Sequence, residues 1–124
     1  MGCAGDAVIE SCTLARNQGA SSGGGLAVDG GSATVRNTIL WDNSATSNSN
    51  YEAAGAMFSH CCSAPLPEGE NNIADDPLFA AGPRGAYYLS HAVVQGGGDS
   101  PCVDSGSDTA EALALDVSTT RTDE

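Results

Sequence analysis

Short apolar clusters recur along the chain at a nearly constant spacing, with glycine, proline, asparagine and aspartate between them. Residues 7–17 align with residues 33–43 at an offset of 26, and both copies end in Leu-x-x-Asn. A weaker third copy follows after 23 residues, with Phe58 at the position of Val35. Each cluster is too short for a helix, and short apolar clusters bounded by turn-forming residues are typical of β-strands.

The repeat period predicts how these strands are arranged. A period in the twenties with two or three short strands is typical of a solenoid of stacked β-coils, in which each coil buries apolar residues against its neighbours. Leucine-rich repeats have a similar period, but they need several leucines per unit and each copy here has one. We therefore predict an all-β solenoid of about four to five coils with parallel strands, in which residues 7–106 form the stack and Leu14 and Leu40 point inward.

The charged residues test this register independently. At the offset of 26, Glu10 lies beside Arg36 and Arg16 lies beside Asp42, so both pairs are opposite in sign. Opposite charges on neighbouring strands stabilise a sheet by a few tenths to about 1 kcal/mol. We interpret both arginines as surface ladder residues rather than as catalytic groups.

A physical reason also explains why asparagine occurs at the end of both Leu-x-x-Asn segments. Asparagine tolerates the left-handed conformation at a tight corner, and its amide can bond to neighbouring backbone groups. Stacked amides can also bond to one another. We predict that Asn17 and Asn43 form such a ladder, the alternative being two exposed loop asparagines.

Several segments resemble known repeat proteins. Leu14-x-x-Asn17, Gly23-Gly-Gly-Leu26 and Leu40-x-x-Asn43 resemble the repeats of polymorphic outer-membrane proteins. Other segments resemble the closing stretch of large bacterial parallel β-helix proteins, namely 37–43, 72–79, 88–90 and 100–106. The resemblance implies a right-handed, pectate-lyase-like β-helix in a secreted or surface-anchored protein.

Two departures from that family affect the expected extent of the protein. The chain begins inside the repeats, and residues 119–123 look like the lead-in to a final strand that does not follow. No basic segment followed by an apolar stretch opens the chain, so no signal peptide is visible. We expect a fragment or a small member of the family, whose parent protein is extracellular or at the cell surface.

Composition excludes some classes of partner. The 124 residues include 16 acidic side chains against four lysines and arginines, for a net charge of −12. A surface that follows nucleic-acid phosphates needs clustered basic residues, so we expect no nucleic-acid partner. No run of about 18 apolar residues occurs, so we expect no membrane insertion.

The five cysteines are at positions 3, 12, 61, 62 and 102. Their spacing does not match a zinc site. If both Cys61 and Cys62 lie in a strand, alternation would place one of them inside and the other outside. His60 would point away from Cys61, which disfavours Cys-His catalysis. The resemblance implies buried free thiols at Cys12, Cys61 and Cys102, while one disulfide or a metal site stays an alternative.

Acidic residues offer few candidate metal ligands. The groupings of interest are Asp75-Asp76 and the pair Asp104 and Asp108. Related lyases hold Ca²⁺ with carboxylates, but Ca²⁺ needs six to eight oxygen ligands and this pair supplies two. We predict no cofactor, with calcium as the less favoured alternative.

The connecting segments complete the organisation of a single domain over residues 1–124. Residues 46–56 are rich in serine, asparagine and alanine and predict a mobile loop that bulges from one corner. Asp108 and Glu111 fit a capping box before a short helix that reaches Leu115. Residues 107–124 would then form a capping helix and a tail.

No catalytic or cofactor-binding constellation stands out from this pattern. We predict a non-catalytic β-solenoid that displays loops for adhesion or glycan contact. One alternative is a fragment of a polysaccharide lyase or glycoside hydrolase, which rests on fold analogy alone. Another is a structural unit that forms a homodimer through the uncapped N-terminal end, where strand edges are unpaired.

Overall fold

The computed structural model describes residues 2–3, 5–52, 54–95 and 97–114. Within these residues the fold is all-β, with small sheets and one four-residue helix, α1 at Ala92–Gln95. The strands are β1 Gly2–Cys3, β2 Asp6–Glu10, β3 Thr13–Ala15, β4 Ala27–Val28, β5 Ser32–Arg36, β6 Ile39–Trp41, β7 Ala56–Ser59, β8 Cys62–Ser63, β9 Phe79–Gly82 and β10 Gly85–Leu89.

Two parallel three-stranded sheets form the centre of the molecule, in the orders β2-β5-β7 and β3-β6-β8. Ile9 pairs with Val35, which pairs with Phe58. Leu14 likewise pairs with Leu40. The offsets of 26 and then 23 residues found in the sequence are therefore the spatial registers of these strands.

The strand pairs β2 with β3, β5 with β6 and β7 with β8 are three successive levels of the stack. At each level, one residue in the left-handed conformation turns the chain from the first sheet to the second. Ser11, Asn37 and His60 occupy equivalent corners, with φ of 53°, 49° and 52°. The next side chain in each case donates a hydrogen bond to the carbonyl two residues earlier, at 3.2 Å from Cys12 to Glu10, 2.7 Å from Thr38 to Arg36 and 3.2 Å from Cys61 to Ser59. A short polar side chain that bonds to a nearby carbonyl stabilises such a bend.

The core lies between the two parallel sheets. Val35, Leu40 and Leu26 are completely buried, and Ile9 and Phe58 pack in the same cluster. Leu14 packs against this cluster and is partly buried. Residues of the intervening positions face outward, and Val8 is 68% exposed and Met57 64% exposed. Strand alternation thus places one apolar row inside at each level.

The segment predicted to bulge as a mobile loop instead stacks on the level before it. Isolated parallel bridges join Gln18 to Ser44, Ser22 to Ser47 and Leu26 to Tyr51. The polar side chains hold this register, because Thr46 Oγ1 donates to Ala20 O at 3.0 Å and Asn48 Nδ2 donates to Ser22 Oγ at 3.1 Å. The threonine and asparagine side chains of this segment hold it against the preceding level, although residues 46–49 are exposed.

The prediction of parallel coils as far as residue 106 is wrong beyond residue 78. Along the described part of the chain, the last parallel contact is an isolated bridge between Cys62 and Ile73. β9 and β10 form an antiparallel hairpin. Only Pro83 and Arg84 separate these strands, whereas a parallel connection needs a crossover of a dozen or more residues.

The helix expected near the C-terminus is not formed in residues 109–114, which make turns. Asp108 Oδ1 accepts from the N–H of Thr109 next to it, at 2.9 Å, and Thr109 Oγ1 accepts from the N–H of Ala112 at 3.2 Å. One bond from Leu113 N–H to Thr109 O follows, and no regular helix develops from it. Leu115 and the tail 116–124, including residues 119–123, lie outside the described residues.

Candidate functional site

A groove of about 320 Å³ lies between the outer face of the β3-β6-β8 sheet and the β9–β10 hairpin. Its lining combines three aromatic rings with three charged groups and one small residue: Trp41, Phe79, Tyr87, Arg16, Asp42, Asp76 and Ala15. A second depression of about 580 Å³ is lined by small uncharged residues of 18–20 and 44–46. The first groove is the candidate site because it gathers several side chains capable of specific contacts.

Strand alternation places the sheet side of this groove. Ala15 and Trp41 are register partners that follow the inward-facing leucines, so both point outward. Arg16 and Asp42 come next, with positive φ of 56° and 57°, and lie at equivalent corners. Arg16 Nε is 3.0 Å from Asp42 Oδ2, and both side chains are 63% exposed. Because alanine is small, the ring of Trp41 has open space beside it.

The hairpin supplies the opposite wall. Phe79 on β9 and Tyr87 on β10 meet edge to face, with ring centroids 5.3 Å apart. The Arg16 guanidinium carbon lies 5.8 Å from the Tyr87 ring centroid, within the range of a cation–π contact. Asp76 Oδ1 accepts from Leu78 N–H at 2.8 Å, which fixes the turn that leads into Phe79. The hairpin is thereby oriented toward the sheet.

The predicted ladder residues are adjacent in the structure. Glu10 and Arg36 are register partners, with 3.7 Å between Arg36 Nε and Glu10 Oε1. Asn17 Nδ2 donates to Asn43 Oδ1 at 3.0 Å. Among all the predicted ladder residues, only Arg16 and Asp42 also line the groove. The others stabilise the stacking of one level on the next.

Asn50 extends the asparagine ladder, and the alignment of the repeats missed it. Its Oδ1 accepts from Asn43 Nδ2 at 3.0 Å, and its own Nδ2 donates to Ala64 O at 2.8 Å. Asn50 lies in the segment predicted to bulge and has no equivalent at the offset of 26. The signal that could have found it is the preference for asparagine at buried corners.

Four cysteines have described side chains and all are free thiols: Cys12, Cys61, Cys62 and Cys102. Cys12 is exposed, which differs from the burial that the resemblance implied, whereas Cys61 and Cys62 are both buried. Burial raises the pKa of the Cys61 thiol. Strand alternation would separate Cys61 from Cys62 only if both lay in one strand, but Cys61 precedes β8, and both are buried. Cys62 Sγ donates to Asp75 O at 3.3 Å. The side chain of Cys3 lies outside the described part of the structure.

The remaining candidates are engaged in local turns. His60 Nε2 lies 3.0 Å from Asn71 Nδ2, on the outside of a corner. Asp104 is exposed at a positive φ of 57°. Among the described residues, no group of three or more His, Cys, Asp or Glu side chains is placed to hold a metal ion.

The chain matches no protein-family model, no curated protein and no solved structure. The geometry of the groove therefore carries the functional argument. Within the described residues, no helix has the length and apolar character needed to cross a bilayer.

The groove suits a ligand that has both apolar faces and hydroxyl groups. Aromatic ring faces carry partial negative charge and attract the weakly positive C–H groups of a ligand. Carboxylates accept and guanidinium donates charge-assisted hydrogen bonds, which are about twice as strong as neutral ones. Sequence reasoning missed Trp41, Phe79 and Tyr87 as a site because they are far apart in sequence and only the hairpin brings them together.

Proposed function

We propose that this protein is a non-catalytic β-solenoid that binds a glycan in the groove between Trp41 and Tyr87. The observation that carries the proposal is the convergence of three aromatic rings on two carboxylates and a guanidinium. A pyranose presents C–H groups on its ring faces and hydroxyls around its edge. The rings would contact the former, and Asp42 and Asp76 would accept hydrogen bonds from the latter.

We further propose that the stacked levels form a short right-handed parallel β-helix. The parallel registers of β2-β5-β7 and β3-β6-β8 support this architecture. The equivalent left-handed corners at Ser11, Asn37 and His60 support it as well, because each level then turns at the same position. In this arrangement the solenoid is a rigid scaffold and the β9–β10 hairpin forms one wall of the binding groove.

The charged groups of the groove and the net charge of the chain indicate which class of glycan would bind. The groove contains two carboxylates and one guanidinium, and the guanidinium of Arg16 is already paired with Asp42. The whole chain carries a net charge of −12. Uronic-acid polymers would be repelled, so the ligand we propose is a neutral or amino sugar chain. A glycan ligand of this kind fits a parent protein that acts outside the cell or at its surface.

The experiment uses the single tryptophan of the chain, Trp41, as its own reporter. The full chain would be titrated with cellohexaose, chitohexaose and hexagalacturonic acid while the emission of Trp41 is recorded. We expect a saturable change in emission with at least one of the neutral or acetamido oligosaccharides and none with the acidic one. Absence of a change with all three, supported by calorimetry, would contradict the proposal.

Two neighbouring tyrosines provide a matched control. Tyr87 lines the groove, whereas the ring of the adjacent Tyr88 lies over Gly82 and is absent from the groove lining. Tyr87→Ala should weaken binding about five- to tenfold, in keeping with the loss of one stacking contact of about 1–1.5 kcal/mol. Tyr88→Ala should leave the affinity unchanged. Equal losses in the two variants would place the glycan elsewhere.

One feature of the groove favours the alternative, enzymatic function. Asp42 and Asp76 line the same groove, and a polysaccharide lyase or glycoside hydrolase needs acidic groups near the scissile bond. We propose that no turnover occurs, because Asp42 is paired with Arg16 and Asp76 accepts a backbone hydrogen bond. New reducing ends or unsaturated products that disappear in Asp76→Asn would establish the enzymatic alternative.

A further inference from the structure

The groove between the β3-β6-β8 sheet and the β9–β10 hairpin contains a negative charge that no positive charge offsets. Its charged lining residues are Arg16, Asp42 and Asp76. Arg16 Nε lies 3.0 Å from Asp42 Oδ2, so the charges of this pair largely cancel. Among the described residues, no ion pair includes Asp76. The carboxylate of Asp76 is therefore the net charge that a ligand in the groove would meet.

A well-defined turn holds this carboxylate in the groove lining. Asp76 Oδ1 accepts from Leu78 N–H at 2.8 Å, and Pro77 between them is fully buried. Leu78 has a φ of 49°, and the next residue, Phe79, also lines the groove. An ionised carboxylate has about four acceptor positions, and the bond from Leu78 uses one of them. The other positions can accept from a ligand without any change in the turn.

The aromatic rings of the groove also favour a positive charge. The rings of Phe79 and Tyr87 are nearly perpendicular, at 89°, and Trp41 lines the same groove. Ring faces attract a cation within about 6 Å of the centroid, and tryptophan attracts it most strongly. The guanidinium carbon of Arg16 already lies 5.8 Å from the Tyr87 centroid. Rings and a carboxylate outside any ion pair together provide surroundings that stabilise an ammonium group.

We infer that the groove recognises the ammonium group of a protonated amino sugar, and that Asp76 is the residue that distinguishes it from a neutral sugar. The inference rests on the proposed glycan-binding function and narrows the ligand to chains of 2-amino sugars. The ammonium group donates a charge-assisted hydrogen bond to Asp76, while the sugar ring lies against Trp41 and Tyr87. An N-acetylated sugar makes the same ring contacts but has an uncharged amide at this position.

The test compares two hexasaccharides that differ only at the 2-position of each sugar. Chitohexaose carries acetamido groups, whereas the hexamer of glucosamine carries amino groups. Like an α-amino group, whose pKa is about 8, these amines are protonated at about pH 5.5. Calorimetry and Trp41 emission of the full chain measure both affinities. We expect the glucosamine hexamer to bind about tenfold more tightly, a difference of about 1.4 kcal/mol and close to the lower end of the contribution of a hydrogen bond to a charged group.

Two neighbouring aspartates provide matched variants. Asp76→Asn keeps the oxygen that accepts from Leu78 N–H but removes the charge from the groove. Asp75→Asn removes the same charge from an exposed side chain that is not part of the groove lining. We expect Asp76→Asn to reduce the tenfold preference to about twofold or less, and Asp75→Asn to retain it. Arg16→Gln removes the competing cation and should increase the preference. Circular dichroism checks that each variant is folded.

The possible outcomes separate this inference from the proposed function. Equal affinities of the wild type for the two hexasaccharides would overturn the inference and leave glycan binding in place. A preference that survives Asp76→Asn, or that Asp75→Asn reduces equally, would also overturn it, because attraction by the net charge of −12 would then explain the preference. Binding of neither hexasaccharide, nor of cellohexaose, would contradict the proposed function itself.

Discussion

The asparagine ladder provides the sharpest test of how the levels are held together. Asn43 Oδ1 accepts from the N–H and the side-chain amide of Asn17, at 2.9 and 3.0 Å. Its Nδ2 donates to Leu14 O at 2.8 Å and to Asn50 Oδ1 at 3.0 Å. The Asn43 amide therefore has all four of its hydrogen-bonding positions filled, and it is 6% exposed.

Replacement of Asn43 with alanine removes these four bonds and leaves several polar partners without them. A typical intramolecular hydrogen bond contributes about 1 kcal/mol, and a buried group left unpaired costs about 1–3 kcal/mol. Because Asn17 is exposed and water can replace part of its loss, we expect Asn43→Ala to lower the free energy of unfolding by roughly 3–4 kcal/mol. For a chain of this length that corresponds to roughly 10–15 °C in the midpoint of thermal unfolding.

The repeat itself supplies the control. Asn17 occupies the equivalent position one level earlier, but its side chain makes a single bond in this ladder and is exposed. Asn17→Ala should lower the free energy of unfolding by only about 0.5–1 kcal/mol. Asn43→Asp keeps the volume and the accepting oxygen but places a second oxygen against Leu14 O and Asn50 Oδ1, so at pH 7 it should destabilise at least as much as alanine.

Urea and thermal unfolding of the three variants, followed by circular dichroism, measure these differences. Equal losses in Asn17→Ala and Asn43→Ala would refute the reasoning, because they would mean that sequence position in the repeat, rather than the number of filled hydrogen bonds, sets the contribution. A loss below about 1 kcal/mol in Asn43→Ala would refute it as well.

Three further predictions concern charge, pH and assembly. Arg36→Glu places like charges beside Glu10 and should cost up to about 1 kcal/mol at low salt, and the added change Glu10→Arg should restore the stability lost in thermal melts. Burial raises the folded-state pKa of Cys61, so the stabilising contribution of its neutral thiol is complete below pH 9 and is lost above it, at up to about 1.4 kcal/mol per pH unit. The control variant is Cys61→Thr, because Thr38 follows the equivalent corner one level earlier. This variant should lose less stability between pH 8.5 and 10.5 than the wild type. We also expect a homodimer through the outer edge of β2, where Val8 is exposed, and its fraction should rise with ionic strength as the charge of −12 is screened. Light scattering that gives a monomer at every salt and protein concentration, or a dimer unaffected by Val8→Lys, would count against this edge.

Sequence reasoning predicted the most about the periodic part of the chain, where it gave the register of the strands. Equivalent residues such as Leu14 and Leu40 are strand neighbours because parallel in-register stacking places each repeat directly beside the previous one. The same holds for the charge pair of Glu10 and Arg36. Wherever local pattern and stacking favour the same arrangement, a period in the sequence becomes a register in space.

The prediction was less accurate where contacts depend on groups without a repeat partner. Composition alone suggested a bulging loop over residues 46–56. Instead, the side chains of Thr46 and Ser47 donate to carbonyls of the preceding level, and Asn48 donates to the Ser22 hydroxyl, which holds this part of the segment down. Similarly, residues 82–85 have the glycine and proline composition of a turn, but composition alone does not predict that this turn joins two antiparallel strands. Polar composition does not distinguish hydrogen bonds to water from hydrogen bonds to a neighbouring level.

By itself the sequence determined the all-β class, the offset of 26 residues and the pairing of its repeated residues, because these follow from local strand propensity and a period. The tertiary structure alone decided the groove. Trp41 and Tyr87 line the same groove although they are about 45 residues apart in the sequence. The physical reason is that the β9–β10 hairpin folds back on the parallel sheets to form the groove, and no periodicity in the sequence records where a non-repeating segment returns.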